Sequence, residues 1–182
     1  VRYMRFWSPQ QKYLLKVLNV TGCMRKSQVL PLLRRQFDIS PNAIAPICRQ
    51  LRDAGYLREF DGIISAVGPH YERFIPQALD LIFAILPRET ILFHRESCTA
   101  LYALGEQSGL LVRVFYISQK QDLFALPGKE EVATQKSVIT VLLLDDAAQA
   151  AYIPPHFSCL VAYPDHTGKL TLQQHGGKQH ET

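Results

Sequence analysis

The sequence lacks the features that would mark it as a membrane, exported or disulfide-rich protein. Its apolar runs, such as residues 81–86, are far shorter than the roughly 20 residues that cross a bilayer. No apolar signal-peptide core follows the basic residues at the start of the chain. Cys23, Cys48, Cys98 and Cys159 are widely spaced among apolar residues, which predicts buried, reduced thiols rather than a metal knuckle. We therefore expect a cytoplasmic protein that is neither exported nor inserted into a membrane.

Motifs of catalysis and cofactor binding are equally scarce. Residues 105–109 lack the serine, centred between glycines, of a nucleophile elbow, and no Gly-rich phosphate loop occurs. His94, His156 and His166 are isolated along the chain, which favours surface or packed imidazoles over metal ligands. The sequence therefore predicts a protein that is not an enzyme, with no catalytic residue, cofactor or metal.

What the sequence does contain is an ordinary globular composition and an uneven distribution of charge. It is 47% hydrophobic and 20% charged, enough apolar material for one or two cores. Residues 1–68 hold eleven Lys or Arg against four Asp or Glu, a formal charge of +7, whereas the remainder holds nine against twelve, a charge of −3. Positive charge concentrated in one half indicates a polyanionic partner, of which a nucleic-acid backbone is the commonest.

Two helices are predicted at the start of this basic half. Ser8, Pro9 and Gln11 form a capping-box signature for a helix that ends near residues 19–22. A second helix is predicted over residues 27–37, with a proline tolerated near its first turn and two arginines favouring the negative end of its dipole.

A third helix and a hairpin follow. Apolar residues recur at helical spacing after the Ser-Pro pair at residues 40–41, and Gly55 is placed to end this helix. The stripe comprises Ile44, Ile47, Cys48 and Leu51. Two β-prone runs then flank Asp61-Gly62, a strong signal for a two-residue hairpin turn. Three short helices and a hairpin are the order of a winged helix-turn-helix, which we predict for residues 1–68.

Such a domain is expected to bind double-stranded DNA, with its third helix in the major groove. The predicted DNA-binding residues are Lys26, Asn42, Arg49, Gln50, Arg52 and Arg58. Arginine can read guanine, and the amides can read adenine, whereas Lys26 and Arg58 are placed to contact phosphates. The alternative is that these are solvated surface residues.

Pro46 departs from the pattern of a reading helix. Inside a helix it would remove a backbone donor, so either the helix bends there or its first turn is separate and the helix begins near residues 45–46. Residues 43–47 are also unusually apolar for a helix that contacts bases. This keeps open a second hypothesis, in which the winged helix docks a protein partner or a second copy of the chain and does not bind DNA.

The second half is predicted to be a small α/β domain with a mixed sheet over residues 69–175, followed by a flexible tail, residues 176–182. A helix is predicted over residues 76–86 and a helical turn over 97–104. The predicted strands cover residues 90–93, 111–117, 122–126, 137–144, 158–163 and 169–173, with a short helix over 147–152.

This order of elements is that of a restriction-endonuclease-like core. Such a core needs an Asp entering its second strand and Glu-x-Lys on the third, to hold a metal and activate water. Asp122 is placed acceptably, but Glu130, Glu131 and Lys136 precede the third strand at the wrong spacing. If the core is of this kind, we therefore expect it to be degenerate and inactive. The alternative is that Asp122 is an ordinary turn residue at a strand start. A metal-dependent nuclease is the least supported of the three functions.

The whole chain resembles a family of small uncharacterised proteins from conjugative and integrative elements of Gram-positive gut bacteria. It is also distantly similar to the replication-relaxation proteins of plasmids. The resemblance rests on the winged helix of residues 8–68, the aliphatic helix of residues 79–86, the hairpin of residues 111–126, the hydrophobic run 138–146 and the ending 153–172. It implies a DNA-associated regulator or accessory factor in the replication or transfer of a mobile element, and it implies no active-site residue.

Overall fold

The computed structural model describes residues 7–68, 72–118 and 137–176, which form a mixed α+β protein. The chain divides into two compact units, Val1–His94 and Arg95–Thr182. The helices are α1 (Pro9–Thr21), α2 (Lys26–Leu33), α3 (Ile44–Asp53) and α4 (Ile75–Ile85), with 3-10 helices at Pro41–Ala43 and Ala147–Tyr152. The strands are β1 (Cys23–Arg25), β2 (Leu57–Phe60), β3 (Ile63–Ala66), β4 (Ile91–Ser97), β5 (Ala100–Gly105), β6 (Leu111–Ile117), β7 (Val138–Leu144), β8 (Cys159–Pro164) and β9 (Leu170–His175). No helix in the described ranges is both long enough and apolar enough to cross a membrane.

The start of α1 is fixed by the predicted capping box. The Ser8 hydroxyl accepts a hydrogen bond from the Gln11 backbone N–H (3.2 Å), and Gln11 Oε1 accepts one from the Ser8 N–H (2.8 Å). These bonds satisfy two backbone donors that a helix N-terminus leaves open. Gly22 ends the helix at a φ of 86°, a conformation that costs glycine little.

Helix α2 is shorter than predicted and follows a strand that the sequence did not indicate. The helix covers Lys26–Leu33, and residues 34–36 continue as a turn. The three residues of β1 pair antiparallel with β3, so the strand exists through a partner some 40 positions later in the chain. Arg35 does not lie at the end of α2 as predicted; its guanidinium donates to backbone carbonyls at the end of α4.

Pro46 lies in the first turn of α3, which confirms one of the two alternatives drawn from the sequence. Residues Pro41–Ala43 form a separate 3-10 turn, and the α-helix begins at Ile44. Pro46 is therefore the third helical residue, where a backbone N–H would have no partner within the helix. The proline removes no hydrogen bond at this position.

Strands β2 and β3 form the predicted hairpin around Asp61-Gly62. Both turn residues have positive φ, 49° for Asp61 and 73° for Gly62, as a type I′ turn requires. With β1 they make an antiparallel three-stranded sheet in the order β1-β3-β2. The hairpin directly follows α3. Gly55, just beyond the last helical residues, has a φ of 80° and allows the chain to turn out of the helix.

Helix α4 belongs to the N-terminal compact unit, whereas the sequence predicted it in the second domain. Gln28, 3% exposed, donates through Nε2 to the Pro76 carbonyl (2.6 Å) and to Asp80 Oδ1 (2.5 Å). Arg25 forms an ion pair with the same Asp80 carboxylate. The predicted boundary after residue 68 follows a local Gly-Pro pair, whereas the first compact unit continues to His94 and includes α4.

Strands β4 to β9 form one six-stranded mixed sheet whose neighbours follow chain order. Strands β6, β7 and β8 run parallel, while β5 and β9 lie antiparallel beside them. The strands predicted at 111–117, 137–144, 158–163 and 169–173 are confirmed to within two residues.

Two other predictions for this half have different outcomes. The helical turn predicted over 97–104 is wrong, because residues 100–105 form β5 and pair with β6. The strand predicted over 122–126 lies outside the described residues, as does the tail from residue 177.

The predicted short helix after β7 is a 3-10 helix capped by Asp146, whose Oδ1 accepts from the backbone N–H of Ala148 (2.7 Å) and Gln149 (3.2 Å). It precedes β8, whose inward residues join an apolar cluster on one face of the sheet. Its buried members are Ala100, Phe115, Ile117, Leu142, Leu144, Ile153, Cys159 and Val161.

Three of the four cysteines are buried and form no disulfide, as predicted, and Cys98 is exposed, which corrects that prediction. Cys98 lies in the turn between β4 and β5. Burial raises the pKa of the Cys159 thiol to about 11, and it also raises that of Cys48. The buried thiols of α3 and β8 therefore stay protonated near neutral pH.

Candidate nucleic-acid interface

Helix α3 has one buried face and one exposed face. Ile44, Cys48 and Leu51 are buried, whereas Arg49, Gln50 and Arg52 are exposed. Asn42, in the 3-10 turn just before the helix, is also exposed. Four of the six predicted DNA-binding residues thus belong to α3 or to the turn that leads into it. The apolar residues of α3 are buried at helical spacing, as the sequence predicted, and this leaves the predicted DNA-binding residues on the surface.

Glu59 of β2 engages two of the predicted cations. Its Oε1 lies 2.7 Å from Lys26 Nζ, and its Oε2 lies 3.5 Å from Arg52 Nη1. Arg52 Nε is also 3.6 Å from Asp53 Oδ1. Lys26 at the start of α2 and Arg52 near the end of α3 therefore lie around one carboxylate of the hairpin. The negative charge of Glu59 partly neutralises both cations.

Gln50 has a partner on α1. Its Oε1 accepts a hydrogen bond from Gln11 Nε2 at 2.7 Å, and Gln11 is also the residue that completes the capping box of α1. One side chain thus fixes the start of α1 and holds the exposed edge of α3. The Gln50 amide nitrogen keeps both of its donors without a partner among the described residues.

Of the four predicted DNA-binding cations, Arg49 and Arg58 are the two that Glu59 does not contact. Both are exposed, and neither forms an ion pair or a side-chain hydrogen bond within the described ranges. They belong to α3 and β2, elements in contact with each other. Two guanidinium groups on adjoining exposed elements, each with five donors, are suited to phosphate oxygens or guanine edges.

Apolar side chains accompany this basic surface. Phe60, next to the hairpin turn, is 84% exposed. Tyr56 is half-exposed and packs edge-on against Trp7, with ring centroids 5.0 Å apart. Ala45 is exposed on α3, while Pro46 and Ile47 are partly buried, so the apolar start of this helix is only partly covered.

Sequence reasoning missed Glu59 and Gln11 as members of this surface. Glu59 follows Arg58 directly, and alternation along β2 turns the two side chains to opposite sides of the strand. Only the packing of α3 against the hairpin shows that Glu59 meets Arg52. Gln11 was recognised as a capping residue, but its second contact with Gln50 joins positions 39 residues apart.

Asp122, Glu130, Glu131 and Lys136, the residues weighed for the nuclease hypothesis, lie outside the described residues. Within the described ranges, no group of three His, Cys, Asp or Glu side chains could hold a metal ion.

No protein-family model and no curated protein matches this chain. The resemblance to mobile-element proteins therefore stays a prediction from the sequence.

Proposed function

We propose that the N-terminal unit is a winged helix-turn-helix that binds duplex DNA without catalysing a reaction. The observation that carries the proposal is the pair of open arginines, Arg49 on α3 and Arg58 on β2. Support also comes from the element order, in which three helices precede a hairpin and a third short strand completes its sheet.

In this proposal α3 enters the major groove and the β2–β3 hairpin lies along the backbone. Arg49 and Asn42 face base edges, and Arg58 contacts phosphate. Lys26 and Arg52 contribute after their ion pairs with Glu59 rearrange. The role in mobile-element replication or transfer, which the family resemblance implies, is part of this proposal. The degenerate endonuclease-like core is likewise kept as a hypothesis for the sheet of β4–β9.

Fluorescence anisotropy with a labelled random-sequence duplex tests the proposal. With Lys26 and Arg58 on phosphates, the affinity is expected to fall about tenfold between 50 and 200 mM salt, because each neutralised phosphate releases counterions. Non-specific dissociation constants are expected at about 1–100 µM. Absence of binding at 50 mM salt would reject DNA as the partner.

Neutralising Glu59 is expected to strengthen duplex binding. Glu59→Gln removes a negative charge from the proposed interface and releases Lys26 and Arg52 from its carboxylate. Exposed ion pairs contribute about 0.2–1 kcal/mol each, so we expect an affinity increase of about fivefold at low salt. The same anisotropy titration measures it. Glu106→Gln, an exposed acid of the second unit, removes one negative charge elsewhere and is expected to change binding little. Equal gains in both variants would mean that net charge, and not this carboxylate, controls affinity.

The second candidate is a protein-docking or homodimerisation module. The 84% exposure of Phe60 favours it, because burying such a side chain against a partner would remove apolar surface from water. This function predicts a dimer that Phe60→Ser converts to a monomer in analytical ultracentrifugation, together with no salt-dependent duplex binding. If the parent and Phe60→Ser are both monomers, dimerisation is rejected and the DNA-binding function remains.

A further inference from the structure

A groove of about 460 Å³ lies at the C-terminal ends of α2 and α4. Its lining consists of Leu30, Pro31, Arg34, Arg35, Pro87 and Arg88. All six belong to the N-terminal compact unit, and its volume is within the range of about 300–1,000 Å³ typical of small-molecule sites. The groove lies at the end of α2 opposite Lys26. The eight residues of this helix separate its two ends by about 12 Å. The groove is therefore distinct from the proposed DNA surface.

The lining carries three guanidinium groups and no carboxylate. Arg88 is exposed and has no hydrogen bond or ion pair within the described residues. Arg34 is exposed, and its one side-chain bond there is a long one, 3.4 Å from Nε to the Ile39 carbonyl. Both side chains thus keep most of their donors open.

Arg35, the third arginine of the lining, is held by several contacts. Its guanidinium lies 4.6 Å from the centre of the Phe83 ring. It donates to the backbone carbonyls of Leu86, Glu89 (3.1 Å) and Phe83 (3.3 Å). Its Nε is buried and has no acceptor.

Burial also removes water from around part of the Arg35 guanidinium. Desolvation lowers the pKa of Arg35, and the nearby Tyr13 and Glu89 oppose this effect only in part. The carbonyls that Arg35 contacts carry no full negative charge. An anion that entered the groove would supply the missing countercharge in a partly desolvated place, where such an interaction is strong.

We propose that this groove binds the phosphate group of a small, free phosphate-bearing molecule. Arginine forks match the oxygens of a phosphate group in shape as well as charge. Leu30, Pro31 and Pro87 provide apolar walls for the uncharged part of the same ligand. A phosphate of the DNA backbone presents the same chemistry, and the experiment below separates the two sources.

Isothermal titration of the full chain with inorganic pyrophosphate at 150 mM salt tests the proposal. We expect saturable binding that weakens at least tenfold in Arg34→Gln/Arg88→Gln. Arg35 is left unchanged because it holds the end of α4. Lys16→Gln/Lys169→Gln removes two positive charges from exposed positions outside the groove and is expected to bind as the parent does. The single variant Arg88→Gln, which breaks no contact of the described residues, is expected to weaken binding severalfold and covers the case in which the double variant does not fold.

Duplex titration of the same variants completes the test. Loss of pyrophosphate binding with unchanged duplex affinity supports a site for a free ligand. Parallel loss of duplex affinity overturns that site and assigns the groove to the DNA surface. Absence of pyrophosphate binding, or equal weakening in the groove and control variants, overturns the proposal altogether. None of these outcomes depends on the roles given to Arg49 and Arg58.

Discussion

Replacing Arg49 and Arg58 together by alanine is expected to weaken duplex binding about a hundredfold at low salt. An arginine that contacts a base edge contributes about 1–3 kcal/mol, and a loss of about 1.4 kcal/mol for each of the two arginines gives this factor. These two arginines are the predicted contacts that no acid neutralises within the described residues, so their loss removes charge that is directly available to DNA. The same substitutions should also flatten the salt dependence, because fewer counterions are released.

The measurement is an anisotropy titration of the parent and variant at several salt concentrations. Lys16→Ala/Lys169→Ala is the matched control, because it also removes two exposed positive charges, one in each unit. Circular dichroism verifies that both variants keep their helices. Unchanged duplex affinity in the Arg49/Arg58 variant would reject our placement of the interface, and equal losses in variant and control would reduce the interaction to net charge.

The elements that the sequence predicted well are those encoded by adjacent residues. The Ser8–Gln11 capping box and the Asp61-Gly62 turn each lie within four positions, and both occur in the structure as expected. Their physical determinants, a short polar side chain that caps backbone donors and a pair of residues that tolerate positive φ, act locally. The exposed face of α3 follows equally from the period of its apolar residues.

The features that the sequence could not predict depend on residues far apart in the chain. Strand β5 has apolar residues and a terminal glycine that suit a helical turn, and its pairing with β6 makes it a strand instead. Strand β1 has three residues, too few for a periodic signal. The ion pairs of Glu59 depend on the packing of two helices against the hairpin, which no local pattern records.

The position of α4 shows the same limit at the level of domains. The glycine and proline at residues 68–69 are a strong local signal for a boundary, yet Gln28 and Arg25 hold α4 from positions about 50 residues earlier. A buried glutamine at the start of a short helix looks in sequence like an ordinary capping residue. Its actual effect is to join β1, α2 and α4.

Gln28→Ala is therefore expected to destabilise the N-terminal unit strongly, by about 2–4 kcal/mol. The substitution leaves the Arg25 N–H, the Pro76 carbonyl and the Asp80 carboxylate each without one hydrogen bond. A buried polar group that loses its partner costs about 1–3 kcal/mol. The Asp80 side chain is 42% exposed and keeps its ion pair with Arg25, so it adds little to this cost. The cavity left by the missing amide adds to this loss.

Urea unfolding of the full chain, followed by the fluorescence of Trp7, measures the effect on the unit that contains α1–α4. Gln36→Ala, an exposed glutamine in the turn after α2, is the control and should change the free energy of unfolding by less than about 0.5 kcal/mol. A loss in Gln28→Ala no greater than that of the control would mean that α4 does not depend on this side chain. The larger loss of unfolding free energy that we expect would show that Gln28 stabilises the packing of α4 against the other elements of the proposed DNA-binding unit.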